Sequence, residues 1–92
     1  MATFLMTGKY APASMAGMSS QRTQQAIEVI TKFGGEVKSM YATLGDNDLL
    51  FVLDLPGTDE AIKASVELSR LTGIGFSTSP AVSVEEFDKL MG

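Results

Sequence analysis

Apolar positions along this chain follow two rhythms, and the switches between them mark out its elements. From Thr3 to Tyr10, the residues Phe4, Met6 and Tyr10 alternate with Thr3, Leu5, Thr7 and Lys9, the period of two that predicts a strand. Gly8 falls in the apolar register and leaves room for a close neighbour, a helix or a ligand. Ala11 to Ser19 is small-residue sequence punctuated by Pro12 and Gly17. It predicts a loop able to hold one helical turn, with Met15 and Met18 folded back over a core edge to fill gaps, or, as the sharper alternative, lining the mouth of a ligand site. Ala26, Ile27, Val29, Ile30 and Phe33 then recur at helical spacing behind a Ser19 or Ser20 cap. Gln21, Arg22, Gln24, Gln25, Glu28 and Lys32 fill the polar side, and Gly34-Gly35 supplies the stop.

Glu36 to Leu44 mixes polar and apolar residues on both faces, which suits an edge strand, and Gly45, Asp46 and Asn47 make a hairpin loop. Asp48 to Leu55 is the most apolar stretch, with Leu49, Phe51, Leu53 and Leu55 on one face and Leu50 and Val52 on the other; it belongs at the centre of a sheet. After Pro56-Gly57, a helix capped by Thr58 runs to about Leu71, with Asp59 and Glu60 in its first turn and Ala61, Ile62, Ser65, Val66, Leu68 and Ser69 as its inner residues. Ile74 to Val82 is a second edge strand, because Pro80 has no N–H to give a ladder. Ser83 to Glu86 reads as a capping box opening a terminal helix with Phe87, Leu90 and Met91 along one stripe.

The order strand, helix, strand, strand, helix, strand predicts an α+β protein: a ferredoxin-like βαββαβ sandwich with a short C-terminal helix, one domain over residues 1–92. Both long helices then cover one face of the sheet. The other face keeps either the Leu49, Phe51, Leu53 set or the Leu50, Val52 set, and a second copy laid face to face would cover it, giving a homodimeric α+β barrel.

Charge and missing residue types narrow the function. Net charge is −4 and Lys and Arg never occur in a run, so nucleic acid is not an expected partner. The chain has no Cys and no His, which removes disulfides, thiolate nucleophiles, His-based triads and the commonest zinc, copper and haem ligand. The Met1 to Tyr10 segment lacks the basic start of a signal peptide and no apolar run is long enough for a membrane span, so a cytoplasmic protein without a membrane partner is expected.

The segments Phe33-Gly34-Gly35-Glu36-Val37-Lys38-Ser39, Tyr41-Ala42-Thr43-Leu44-Gly45, Asp48 to Pro56 and Ser83 to Phe87 together resemble the GYD-domain family of small bacterial and archaeal proteins. The family motif is Gly, any residue, Tyr, Asp; Gly45 and Asp48 match it, and Asn47 stands where the motif has its aromatic. The resemblance implies a ferredoxin-like fold related to dimeric α+β barrels and a function not yet characterised. Relatives sharing that barrel include cofactor-free monooxygenases, haem-handling enzymes and ligand-binding regulators.

Candidate chemistry is sparse. Gly45 and Asp48 read as turn residues of the hairpin, and the Asp46, Asn47, Asp48 loop lacks the spacing and terminal Glu of a calcium loop, so no metal is expected. Asp54 is an acid within an apolar strand, a candidate proton acceptor, although its place beside Pro56 lets it reach solvent at the rim of the sheet. Tyr10, Tyr41, Lys38, Asp54 and Ser77 form the candidate ligand set, the polar groups that would orient a small apolar ligand in a cleft between sheet and helices. No residue is singled out as an axial ligand, and no cofactor is expected. Non-catalytic binding or an assembly role is the primary reading; the alternative is a cofactor-independent monooxygenase or isomerase resting on Tyr10, Tyr41 and Asp54.

Overall fold

The third strand organises the molecule, as its apolar residues require. The computed structural model describes all 92 residues. In chain order they form β1 (Ala2–Lys9), a one-turn α1 (Pro12–Met15), α2 (Ser20–Lys32), β2 (Glu36–Ala42), β3 (Leu49–Leu55), α3 (Thr58–Thr72), β4 (Gly75–Ala81) and α4 (Val84–Met91). The strands make one sheet in the order β2-β3-β1-β4 with every neighbouring pair antiparallel, the ferredoxin-like arrangement. β1 and β3 are central; β2 and β4, the mixed strand and the proline-bearing one, are at the edges.

Residues paired directly across an antiparallel ladder share a face. Phe4 opposite Leu53 and Met6 opposite Phe51 therefore point together toward α2 and α3, where they join Ala26, Val29, Ile30, Ala61, Ala64 and Leu68 in the core. Leu5 opposite Val52 and Thr7 opposite Leu50 lie on the other face, which no helix covers. The exposed set is thus the one built on Leu50 and Val52. A bulge between Val37 and Ser39 takes Lys38 out of the β2 ladder.

Several local expectations are corrected. Gly57, not Thr58, occupies the N-cap of α3 and makes no side-chain cap bond, although Asp59 and Glu60 do stand in the first turn. The buried stripe of α3 is Ala61, Ala64, Leu68 and Thr72; Ile62 and Val66 are 58% and 44% exposed. The stripe follows helical spacing from Ala61, so Ile62 and Val66 fall one position round the helix, toward the β4 edge where the sheet ends. Ser19 caps α2, accepting a hydrogen bond from the Arg22 N–H at 3.1 Å, and Ser83 caps α4 in the same way toward Glu86. None of the α4 residues is buried, and Phe87 and Leu90 are 51% and 63% exposed. No helix is long and apolar enough to cross a membrane.

Candidate functional site

At the end of the sheet where β1 finishes, the core opens into a cleft of about 310 Å³ between the sheet and the start of α2. Its apolar wall is built by Met40, Leu49, Phe51, Ile74 and Phe76, with Ala26 facing them from α2. Two small residues shape its surroundings. Gly8 has no side chain, and a Cβ there would come within 2.9 Å of the Phe76 ring and 3.1 Å of Ile74, so the neighbour for which Gly8 makes room is the β4 end of the sheet. Phe76 lies opposite Gly8 and its ring centroid sits 5.8 Å from that of Phe51, tilted by 43°. Ala26, the small residue of the α2 stripe, leaves the facing side open.

The polar lining comes from several elements. Tyr10, Ser19, Arg22, Thr23, Tyr41 and Thr72 supply it, and no carboxylate does. The Arg22 guanidinium carbon stands 5.7 Å from the centre of the Tyr10 ring. Arg22 Nη1 donates to the Ser14 carbonyl at 2.6 Å, and Ser14 is itself buried, its hydroxyl bonded to both the N–H and the C=O of Ala11. Gly17 is bare where a Cβ would come within 2.8 Å of Arg22 Nη1. The segment read as a loop is thus a cradle for one guanidinium. Met18 lines the cleft and Met15 is exposed; both are about half exposed and neither fills the core.

Asp48 links this end of the molecule together. Its carboxylate accepts the Tyr10 N–H at 2.8 Å and its own N–H donates to the Gly8 carbonyl at 2.8 Å, so it fastens the β2–β3 hairpin to the end of β1. Within the turn, the Thr43 hydroxyl donates to the Asn47 carbonyl at 2.6 Å, and Gly45 takes a φ of 123° that favours glycine.

The candidate ligand residues are divided by the structure. Tyr10 lies in the cleft; Tyr41, opposite Leu50 and so oriented to the helix-free face, reaches the cleft at its rim between Met40 and Ala42. Asp54 sits at the far end of the sheet, opposite Thr3, roughly 20 Å along β1 from Tyr10 at the rise of a strand. Its side chain is 21% exposed, accepts the Thr3 hydroxyl at 3.0 Å and lies 3.6 Å from Lys38 Nζ, which stands as close to Glu36. Ser77 is exposed on the helix-free side of β4 across from Thr7. Lys38, Asp54 and Ser77 therefore do not share a cleft with Tyr10, and the trio of Tyr10, Tyr41 and Asp54 is not assembled.

Arg22 is the residue that inspection of the sequence passes over, since it stands among the polar positions of α2. A signal was present: it precedes Ala26 by four residues, and so continues the buried stripe by one turn toward the start of the helix.

The fold recurs in solved structures. A leucine response regulatory protein from Mycobacterium tuberculosis aligns with a TM-score of 0.63 at 8% identity, over 89% of this chain and 51% of that one. An AsnC family transcriptional regulator from Agrobacterium tumefaciens aligns with a TM-score of 0.59 at 20% identity, over 89% of this chain and 50% of its own. The chain thus spans about half the length of each. Among curated proteins none matches the sequence. The family profile described as GYD domain matches residues 4–91, and the chain belongs to the GYD domain family.

Proposed function

We propose that this chain is a single small-molecule-binding domain, acting as a homodimer and without catalysis of its own, that takes an apolar compound into the cleft between the sheet and the start of α2. The observation that carries this reading is the cleft itself. Its volume of about 310 Å³ falls at the lower end of the range of ligand sites, its walls are mostly apolar, and a few polar groups line it. A sensing role accords with the names of the two structural neighbours, a leucine response regulatory protein and a transcriptional regulator, although the likeness itself extends to the fold alone. Self-association is supported by the helix-free face, where Leu5, Leu50 and Val52 form an apolar strip that a second copy would shield from water.

Titration of isotope-labelled protein with indole, a neutral apolar probe, tests the reading. Amide signals of Met40, Leu49 and Phe76 are expected to move in a saturable way while those of α4 stay fixed. The absence of saturable shifts up to millimolar indole, or shifts confined to other surfaces, would exclude the cleft as a binding site.

A further inference from the structure

Resting on the cleft as a ligand site, we infer that its ligand is an organic acid, with the carboxylate held by Arg22 and an apolar body lying against Phe51 and Phe76. The chain as a whole is acidic, with 11 Asp and Glu against 7 Lys and Arg. Yet the cleft wall has no acid and one formal charge, which is positive. No carboxylate lies within 4 Å of Arg22, and of the cations without such a partner (Lys9, Arg22, Lys63 and Arg70) it is the one that lines the cleft. The carboxylate of Asp48, at the hairpin, is engaged by the Tyr10 N–H.

Arg22 is also held in place before any ligand arrives. The Ser14 carbonyl takes one donor of Nη1, the Tyr10 ring lies beside the guanidinium, and Gly17 leaves room for it. The guanidinium has five N–H donors in a planar fork, so most remain for a ligand oxygen pair. A half-buried cation with spare donors, lining a mostly apolar cleft, matches a molecule that is anionic at one end and greasy at the other. Phosphate esters fit less well, because a dianion would need a second cation and the lining supplies none.

Phenylpropionate and its neutral isostere phenylpropionamide separate the possibilities when titrated into the full chain. A charge-assisted contact exceeds a neutral one by enough to make the acid bind about tenfold tighter at low salt. That preference is expected to shrink as salt rises, and to vanish in Arg22→Gln with amide affinity retained. Arg22→Lys, which keeps the charge without the fork, is expected to keep part of the preference. Should Arg22→Gln unfold, the salt dependence in the wild type and the Arg22→Lys comparison still decide. Equal affinities of acid and amide in the wild type, or a preference untouched in Arg22→Gln, would overturn the inference while leaving the cleft standing. If neither compound binds at millimolar concentration, this inference and the cleft reading fall together.

Discussion

A Cβ added at Gly35 would meet the Asp54 carbonyl oxygen at 2.6 Å and Ile30 Cγ2 at 3.1 Å and would collide with Leu55 Cδ2, so the turn from α2 into β2 passes β3 with no room for a side chain. Backbone and core side chains bound this site, and neither yields readily. Gly35→Ala is therefore expected to destabilise the protein by about 2–3 kcal/mol, the upper part of the overpacking range, lowering the thermal midpoint by roughly 10 °C or more. Thermal unfolding followed by circular dichroism checks it; a midpoint within a degree or two of wild type would mean that β3 can move aside. The two glycines that end α2 thus serve different purposes. Gly34, at a φ of 82°, makes the stop that the sequence advertises. The need for Gly35 arises from β3, some twenty residues further on, and nothing local announces it. The same holds for Asp48: its place in the hairpin was readable, but its bond to the Tyr10 N–H spans 38 positions and belongs to the folded molecule.

At the scale of elements, periodicity in the sequence was sufficient. Four strands, two long helices, their order in the sheet and the terminal helix follow from runs of two-fold and helical spacing, because each such run has one face to bury. The candidate site fared less well, because it is assembled from ends: the close of β1, the first turn of α2 and the starts of β3 and β4. Periodicity is weakest at ends, so the sequence points to Tyr10 and Tyr41 but not to Arg22 or Met40. α4 is the reverse case, an element plainly written in the sequence but without a place to pack. Its Phe87 and Leu90 share a stripe with Val84 and Met91, and none of these is buried. In a homodimer this stripe has a surface to rest on, and Phe87→Ser or Leu90→Ser is expected to weaken self-association at least tenfold, since burying one large side chain is worth about 1.5–3 kcal/mol. Sedimentation over a dilution series measures this. The thermal midpoint at a protein concentration too low for dimers should hardly change, because neither side chain supports the single chain's own core. An unchanged dissociation constant would place α4 outside the interface.

The whole molecule is a sheet with helices on one side, and that asymmetry is what the proposed homodimer rests on. α2 and α3 bury the Phe4, Met6, Phe51, Leu53 and Leu55 side chains, while Leu5, Leu50 and Val52 on the reverse remain in contact with water. Polar residues border that strip: Thr3, Thr7 and Ser77, and the Lys38–Asp54 pair at one corner. An apolar strip with a polar border is the usual anatomy of a protein interface, and a two-fold axis through the strip would bring like against like with the borders at its rim. Val52→Lys places a charge in the middle of the strip, across from Leu5, without touching the core. If the proposed homodimer pairs through this strip, the variant is expected to keep its helix and strand content and its cleft, yet to sediment as a single chain at concentrations where the wild type pairs. Two like charges brought together at the axis would oppose pairing, and salt would relieve only part of that, because the cost of stripping water from a buried ammonium remains. A Val52→Lys protein that still paired as tightly as wild type would move the interface off the sheet, to the flank where Ile62 and Val66 overhang β4.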